Sequence, residues 1–422
     1  MLISSTNADP GTVWYISKYL ASPGPTGVGS RGFYLMRELA TRGHRTVIIT
    51  SDANHLASPP RLAKRFLRQD LDGVQLYWVR TMKYESVRSM KRILSWFHFD
   101  LGVLRLARRG LPQPDVIVAS SLSLTTVLVG GWLSWRYRAR LIFEVRDIWP
   151  LTLTEEGGYS SKNPLVMALA LIERFGYRRA DAIVGTMPNL VEHVIEVSRS
   201  SKPVYCIPMG YEASAANAPS HLPRAYEQAL IPRDRFLVGY AGSIGTTNAM
   251  ETLFETAQRL SNDLRIHFVI VGGGDLLQDF IDRYGDLPNV TFTGRVPRDS
   301  IQAVLAEFDT LYFSAFPSNV WKYGQSLNKL IDYMLAAKPV VASYDGFPSM
   351  LDEAQSGVFV PAGDSDALTS EIQRLVTLDP DELSAIGERG RTWLLEHRGY
   401  PALATEYEQI LFPADQKRRR RG

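Results

Sequence analysis

The chain has 422 residues, 45% of them hydrophobic and 22% charged, which is close to the usual balance of a soluble globular protein. The length is too great for one ordinary hydrophobic core and predicts two domains of about 200 residues each. Because Cys206 is the only cysteine, an intramolecular disulfide is excluded and a reducing compartment is expected. Residues 1–10 lack the cationic and apolar pattern of a secretory signal, so a cytoplasmic location is expected.

In chain order, the first half alternates short apolar strands with helices. A strand at 12–16 is followed by a Gly-rich loop and by a helix from about Ser30 to Arg42, which ends at Gly43. Further strands are predicted at 46–50, 76–79, 116–119, 141–145 and 182–184. This rhythm predicts a parallel sheet covered by helices on both faces.

The same rhythm restarts after a polar stretch at 212–223, which indicates a domain boundary. Strands are predicted at 236–241, 265–271, 289–293, 310–314, 340–343 and 358–360. We therefore predict four parts: an N-terminal domain at 1–215, a C-terminal domain at 230–400, a helix at 401–412 that packs back on the N-terminal domain, and a basic tail at 413–422.

Two segments of the first half could concern a membrane. Residues 116–135 carry no charge but include eight Ser, Thr and Gly residues, which favours a strand, a turn and an amphipathic helix over a transmembrane span. Residues 80–109 carry eight cations and two acids. Within them Ile93, Phe97, Leu101 and Leu104 share one face of a predicted helix, with Trp96 and Phe99 nearby. That pattern is typical either of a helix on an anionic membrane surface or of an ordinary helix packed on its own core.

The C-terminal tail concentrates the positive charge. Residues 417–421 are five consecutive cations, and removing them from the formal net charge of +3 leaves −2. Such a tail is typical of a solvated chain end or of a segment attracted to anionic lipid. Nucleic acid is not an expected partner.

Two candidate sites follow predicted strands of the first half. Gly27 and Gly29 belong to the loop after the first strand, whose backbone N–H groups could bind phosphate or only form a tight turn. Arg146 and Asp147 follow the strand at 141–145, within a run that starts at Glu144 and ends at Pro150. Ligands of open α/β sheets bind at carboxyl strand ends, so this run is a candidate site; the alternative is a local Arg–Asp pair that shapes the turn.

The second half has comparable Gly turns at 242–245 and 272–275, and Arg295 follows a further strand. Residues 323–340 then join a polar loop to a helix with Lys329 and Asp332 on one face. The cation can meet a phosphate, and the carboxylate can accept hydrogen bonds from ribose hydroxyls. The N-terminus of the helix also favours an anion. The arrangement suits a nucleoside diphosphate and needs no metal.

Metal and nucleophile chemistry are not supported by the sequence. Asp364 and Asp379 each open a predicted helix, as N-caps do, with Asp366 and Asp381 two residues later. The seven His are scattered, and no spacing indicates a zinc site or a Cys–His or Ser-based nucleophile.

With these residues the chain resembles the family-4 retaining glycosyltransferases of the GT-B fold, in which two Rossmann-like domains face each other across a crevice. It looks closest to the branch that builds bacterial O-antigen, capsule or colanic-acid chains, including N-acetyl-L-fucosamine transferases. The resemblance rests on Arg31 with residues 39–44, on the run at 145–150, and on residues 326–334 with 338–340.

The resemblance implies roles for particular residues. The C-terminal domain would bind a nucleotide sugar, usually a UDP-sugar and as one candidate an N-acetylated deoxysugar. Asp332 would bind the ribose, and Lys329 would neutralise the diphosphate. Arg146 and Asp147 would face the transferred sugar or the acceptor and, with Lys329, form the catalytic set. The expected donor-binding residues are Gly27, Gly29, Gly242, Ser243, Arg295, Ser326, Asn328, Lys329 and Asp332.

Four positions depart from the family pattern. Ser243 and Asn248 stand where many relatives carry an Arg and a Lys. Gly324 replaces the first Glu of the paired-Glu motif, and Leu327 replaces its Pro. The phosphate charge must then be met elsewhere, and Lys329 with Arg295 or Lys322 is the expected substitute.

The sequence therefore predicts a metal-independent, cofactor-free retaining glycosyltransferase. Its expected acceptor is a saccharide on a polyprenyl diphosphate lipid in surface polysaccharide synthesis. It would be peripheral on the anionic inner membrane through residues 80–109, with 417–421 as a second contact. The alternatives are a sugar-nucleotide epimerase of the same fold and a non-catalytic scaffold at the membrane surface.

Overall fold

A computed structural model describes residues 10–23, 29–54, 59–84, 90–216, 221–229 and 231–414. The chain forms two compact units. The first unit comprises residues 1–208 and 400–422, and the second comprises residues 209–399. Gly27 and the basic residues 417–421 lie outside the described residues.

Each unit is built on one sheet. The strands of the first are β1 (Thr12–Ile16), β2 (Arg45–Ser51), β3 (Phe66–Leu71), β4 (Val74–Val79), β5 (Val116–Ser120), β6 (Arg140–Val145), β7 (Ala182–Gly185) and β8 (Val204–Cys206). Those of the second are β9 (Phe236–Ser243), β10 (Ile266–Gly273), β11 (Val290–Gly294), β12 (Thr310–Ser314), β13 (Val340–Ser343) and β14 (Gly357–Val360). Every predicted strand is present; β3 and β8 were not predicted.

Helices connect the strands. They are α1 (Arg31–Thr41), α2 (Met90–Ala107), α3 (Thr126–Tyr137), α4 (Leu151–Glu155), α5 (Pro164–Arg179), α6 (Leu190–Ser198), α7 (Ala213–Ala216), α8 (Arg224–Glu227), α9 (Glu251–Arg259), α10 (Leu277–Tyr284), α11 (Ile301–Ala306), α12 (Asn328–Leu335), α13 (Met350–Glu353), α14 (Ser365–Val376), α15 (Pro380–His397) and α16 (Tyr400–Leu411). The predicted N-caps are confirmed, because the Asp364 and Asp379 carboxylates accept backbone N–H bonds from the first turns of α14 and α15.

The strand order explains where a ligand can bind. The first sheet runs β3-β4-β2-β1-β5-β6-β7-β8, parallel except for β3, and the second runs β11-β10-β9-β12-β13-β14, all parallel. The order reverses between β1 and β5 in the first sheet and between β9 and β12 in the second. Ligands of such sheets bind outside the carboxyl ends of the strands at these reversals.

The core of the first unit contains a buried ion pair. Arg31 and Glu144 are both fully buried, with 2.7 Å between Nη1 and the carboxylate. Tyr15 and Tyr407 also donate to Glu144, and Arg31 donates to the carbonyl of Ile207. Burial alone would raise the pKa of Glu144, but Arg31 holds it below its usual value. The carboxylate of Glu144, the first residue of the candidate run at 144–150, therefore lies in the core as part of this buried network.

Helix α2 does not bury the stripe predicted for it. Phe97 is 53% exposed and Leu101 44% exposed, whereas Trp96, Phe99 and Val103 face the core. Ile93 and Leu104 are half-buried, so the helix packs on the core through a different set of residues from the predicted stripe, half of which stays exposed. The uncharged stretch at 116–135 forms β5 and part of α3. Among the described residues, every helix is too short or too polar to cross a membrane.

Candidate functional site

Two glycine turns place backbone groups at the carboxyl edge of the second sheet. The ends of β9 and β10 run side by side, with Gly242 opposite Gly272 and Ser243 opposite Gly273. A Cβ atom on Gly272 would lie 1.9 Å from the Gly242 carbonyl oxygen, and Gly272 has a φ of +144°. Only glycine fits such a contact. Gly242 and Ser243 thus lie at the predicted edge.

Lys329 reaches across the strand-order reversal. It lies in the first turn of α12, after β12, and its Nζ donates to Asn248 Oδ1 (2.6 Å) and to Tyr240 Oη (3.2 Å), on the β9 side. The ammonium also lies 4.8 Å from the centre of the Tyr240 ring. Burial lowers the pKa of Lys329 to about 8. Within the described ranges it pairs with no carboxylate, so its charge is available to an anion.

The position of Lys329 concerns the two cations that many relatives carry where Ser243 and Asn248 stand in this chain. Asn248 stands where many relatives were expected to carry a cation, and the Lys329 ammonium lies beside it. A lysine from α12 thus delivers a charge to the turn after β9. The expectation that Lys329 compensates for the substitution at Asn248 is consistent with this contact.

Asp332 lies one turn beyond Lys329 and is only 7% exposed. Its two carboxylate oxygens accept from Arg298 Nη1 and Nη2 at 2.5 and 2.7 Å. Burial raises the pKa of Asp332, and Arg298 opposes that effect. Arg298 was not predicted, since nothing in its local sequence links it to a residue 34 positions later. A carboxylate paired in this way keeps lone pairs for further donors, so the ribose role of Asp332 stays a prediction.

The remaining donor-binding candidates have different surroundings. Arg295 follows β11, and its Nε lies 2.6 Å from where a Cβ atom on Gly273 would be, so the guanidinium packs on the β10 turn. Ser326 Oγ accepts from the backbone N–H of Met209 (2.8 Å) and thereby anchors the loop before α12. Asn328 is exposed at the start of α12.

Gln325 is a residue that the sequence did not single out. It is 5% exposed, and within the described part of the chain neither its Oε1 nor its Nε2 has a hydrogen-bond partner. Leaving a buried amide unpaired costs about 1–3 kcal/mol. Gln325 therefore carries unused hydrogen-bonding capacity in the loop directly before α12.

In the first unit, Arg146 and Asp147 follow β6. The Arg146 backbone N–H donates to Ser121 Oγ (3.0 Å), directly after β5. The side chain of Asp147 is exposed and that of Arg146 is half-buried. Over the ranges described, the two side chains form no direct ion pair, but Arg146 opposes the rise in the pKa of Asp147 that desolvation causes, so the local Arg–Asp interaction stays an alternative.

A cluster of rings and cations lies beside this run. The guanidinium of Arg92 lies 5.6–5.8 Å from the ring centres of Tyr19, Trp96 and Trp149. Lys18, just after β1, is fully buried and donates to the carbonyl of Ala53 (2.8 Å). Burial, together with nearby Arg92, lowers the pKa of Lys18 to about 7. The charge count of residues 80–109 assigned Arg92 to a basic surface, but its side chain packs on these rings.

Gly29 offers little to a ligand in this structure. Its backbone N–H donates to Tyr34 Oη (3.0 Å), and a Cβ atom there would lie 2.9 Å from Pro23. The phosphate role of Gly29 stays a prediction, as does that of Gly27, outside the described residues.

In the described ranges, no group of three His, Cys, Asp or Glu side chains is arranged to hold a metal ion.

Comparison with protein families identifies both halves of the chain. Residues 26–210 match the family described as glycosyl transferase 4-like domain, and residues 235–377 match glycosyl transferases group 1. No curated protein matches the sequence.

Solved structures share the fold at low identity. Sucrose-phosphate synthase from Thermosynechococcus elongatus is 17% identical, with a TM-score of 0.69 over 95% of this chain and 98% of that one. HepE of Anabaena in complex with UDP is 15% identical, with a TM-score of 0.65 over 95% and 99%. A glycosyltransferase from Rickettsia africae is 13% identical, with a TM-score of 0.62 over 96% and 98%. The two family matches and the shared fold lead to one conclusion: this chain is a glycosyltransferase of the GT-B fold.

Proposed function

We propose that this chain transfers a sugar, with retention, from a UDP-sugar to a saccharide carried on a polyprenyl diphosphate lipid. The observation that carries the donor half is the position of Lys329, a partly buried ammonium held by neutral partners across the β9/β12 reversal. The departing nucleoside diphosphate gains negative charge during transfer. A fixed ammonium, the N-terminus of α12 and the backbone of the glycine turns would stabilise that charge without a metal.

A UDP-linked donor is supported by similarity. HepE, which shares the fold at 15–16% identity, has been solved with UDP and with UDP-glucose. Asp332 would accept hydrogen bonds from the ribose, with Arg298 fixing its orientation. Arg295 and the exposed Ser243 would complete the phosphate side. The sugar itself is proposed to be an N-acetylated deoxysugar, as in the branch the sequence resembles.

Transfer requires an acceptor hydroxyl near the donor sugar. Arg146 and Asp147 at the end of β6 would face the sugar or the acceptor. The sequence pattern indicates no covalent nucleophile. Retention would therefore follow from attack by the acceptor hydroxyl on the face from which UDP leaves.

A membrane location for the acceptor is supported by the surface of the first unit. Four neighbouring helices, α2, α3, α5 and α6, each expose apolar side chains at helical spacing. We term this set the apolar face; its members are Leu94, Phe97, Leu101, Leu128, Trp132, Trp135, Met167, Leu171, Phe175, Val191 and Ile195. Large exposed apolar patches are rare in monomeric soluble proteins, and exposed apolar side chains on neighbouring helices favour a contact with a membrane or with another protein. Exposed Arg105, Arg136 and Arg174 on the same helices favour an anionic membrane.

The test is transfer onto a lipid-linked acceptor. Sugar nucleotides are first screened by thermal shift, and release of UDP is then measured with and without a short polyprenyl-diphosphate saccharide. We expect UDP release to require the acceptor, and Lys329→Ala to reduce kcat/KM by at least roughly tenfold through loss of a charge-assisted contact. Lys338→Ala is the matched control, because Lys338 is also half-buried with a lowered pKa but precedes β13, at the opposite edge of the sheet.

Other outcomes would favour the alternatives. A nucleotide sugar that changes configuration without loss of UDP would indicate an epimerase. Lipid binding without binding of any nucleotide sugar would indicate a scaffold. Transfer to a soluble sugar phosphate but not to the lipid-linked acceptor would refute the acceptor class while leaving the transferase intact.

A further inference from the structure

The first unit contains a cavity of about 630 Å³ that has no role so far. It is built at the carboxyl edge of the sheet. Asp52 follows β2 and Arg80 follows β4, which are parallel neighbours. Arg65 precedes β3, which runs antiparallel to β4 and so begins at that same edge. The Arg80 backbone N–H donates to the Arg65 carbonyl (2.9 Å), which ties the two arginines together.

Helix α2 forms the remaining wall. His98, Gly102 and Arg105 line the cavity from successive turns. A Cβ atom on Gly102 would lie 2.4 Å from Val79, the last residue of β4, so the helix packs directly on the strand end. His98 Nδ1 accepts the backbone N–H of Met82 (3.0 Å), which fixes the ring at the rim.

The lining is strongly cationic. Four cations, Arg65, Arg80, Lys83 and Arg105, face one carboxylate, Asp52. That carboxylate already pairs with Lys83 at 3.0 Å and accepts the backbone N–H of Thr81. The three arginines pair with no carboxylate among the described residues. The three arginines are exposed and line one cavity, and the fork geometry of their guanidinium groups suits phosphate oxygens.

An apolar strip adjoins the cationic wall. Leu101 lies three residues after His98 and four before Arg105, so their side chains are neighbours on the helix surface. Leu94 and Leu101 are 53% and 44% exposed, and Phe97 beside them is 53% exposed. A phosphate bound by the arginines would therefore have exposed apolar side chains directly next to it.

We propose that this cavity binds the diphosphate group of an isoprenoid lipid, and that the strip on α2 contacts the start of its apolar chain. The inference rests on the proposed function, because it assigns the lipid end of the acceptor to a site. Shape and charge favour this amphiphile over a free diphosphate, which would make no use of the strip. A phospholipid carries one phosphate and would engage fewer of the arginines.

The test uses farnesyl diphosphate as a soluble probe, with inorganic pyrophosphate for comparison, titrated calorimetrically into the full-length protein. We expect farnesyl diphosphate to bind at least about tenfold more tightly than pyrophosphate. Arg65→Gln and Arg105→Gln should each weaken both ligands roughly tenfold, as loss of a charge-assisted bond does. Leu101→Ser should weaken only farnesyl diphosphate. Arg45→Gln is the matched control, because Arg45 is exposed at the start of β2, at the opposite edge of the sheet.

Unchanged farnesyl diphosphate affinity in both arginine variants would overturn the proposal. Equal affinity for pyrophosphate would overturn its lipid part. The lipid part would also be overturned if the arginine variants lost binding to phosphatidylcholine vesicles that contain phosphatidic acid as strongly as they lost binding to farnesyl diphosphate. Failure of the proposed function gives a different result from failure of the cavity proposal. In that case farnesyl diphosphate would bind through these arginines, but no nucleotide sugar would be consumed. Conversely, unchanged transfer onto a lipid-linked acceptor in the arginine variants would reject the cavity and keep the transferase.

Discussion

Lys329 is the residue on which donor binding is proposed to depend, and its environment gives a pH signature. Burial has lowered its pKa to about 8, so the ammonium form begins to be lost just above physiological pH. A diphosphate binds the ammonium and not the neutral amine. Affinity for UDP should therefore be intact below pH 8 and fall as the pH rises through that value. Between pH 7 and pH 9 we expect the Kd of UDP to rise about tenfold.

Calorimetry at pH 7, 8 and 9 measures this change. Lys329→Ala should bind UDP weakly and with no pH dependence in this window, whereas Lys338→Ala should retain the dependence of the native chain. A flat pH profile in the native chain would contradict a direct contact between Lys329 and the diphosphate.

The same residues show what sequence reasoning could and could not reach. Lys329 and Asp332 were found because helical spacing alone places them on one face. Arg298 was missed because its link to Asp332 joins the turn after β11 to α12 through tertiary structure. Arg92 was assigned to a basic surface because composition cannot show that a guanidinium packs on aromatic rings. Gln325 carries no signal in the sequence at all, since only burial makes its amide unusual.

At the scale of elements, α16 completes the first unit. Tyr400 stacks on Tyr34 of α1 with 4.9 Å between ring centres, and Tyr407 donates to the buried Glu144 (3.2 Å). Leu403 and Leu411 are buried in the same core. We therefore expect a chain that ends at residue 399 to lose cooperative unfolding of the first unit, as followed by circular dichroism and calorimetry.

A chain that ends at residue 414 keeps α16 and is the control for this truncation. Tyr407→Phe is the milder change, because it removes only the hydrogen bond to Glu144. It should lower the Tm by about 2–4 °C, for a loss of about 1 kcal/mol. Cooperative folding of the chain that ends at residue 399 would show that α16 is an accessory element.

Elements were predicted best where periodicity was unambiguous. The buried parallel strands were found because they are continuous apolar runs between turn residues. Strand β3 was missed because it is a polar, half-exposed edge strand, and β8 because it has only three residues. In α2 apolar residues occur on every side of the helix, so periodicity could not decide which of them face the core.

For the whole molecule, the apolar face predicts how binding to membranes responds to mutation. Trp135 is 68% exposed and Leu171 66% exposed, so replacing both by Ser should barely affect folding. The partition coefficient onto phosphatidylglycerol-containing vesicles should fall by at least about tenfold, through loss of apolar burial. Sedimentation with vesicles measures it, and Leu264→Ser is the matched control, since Leu264 is 70% exposed in the second unit.

Undiminished sedimentation of the Trp135/Leu171 variant would exclude this face as the membrane contact. If the native chain were a dimer, the Trp135/Leu171 variant a monomer, and neither protein bound vesicles, the face would instead be assigned to self-association. Light scattering of both proteins distinguishes these outcomes.

The return of α16 to the first unit has a consequence for synthesis. Residues 209–399 form a continuous unit, whereas the first unit lacks its last helix until residues 400–411 have left the ribosome. We expect the second unit to be able to fold during translation while the first still exposes Glu144 and the core that α16 covers. The half made first would thus be finished last, which reverses the usual order in which domains fold as they emerge.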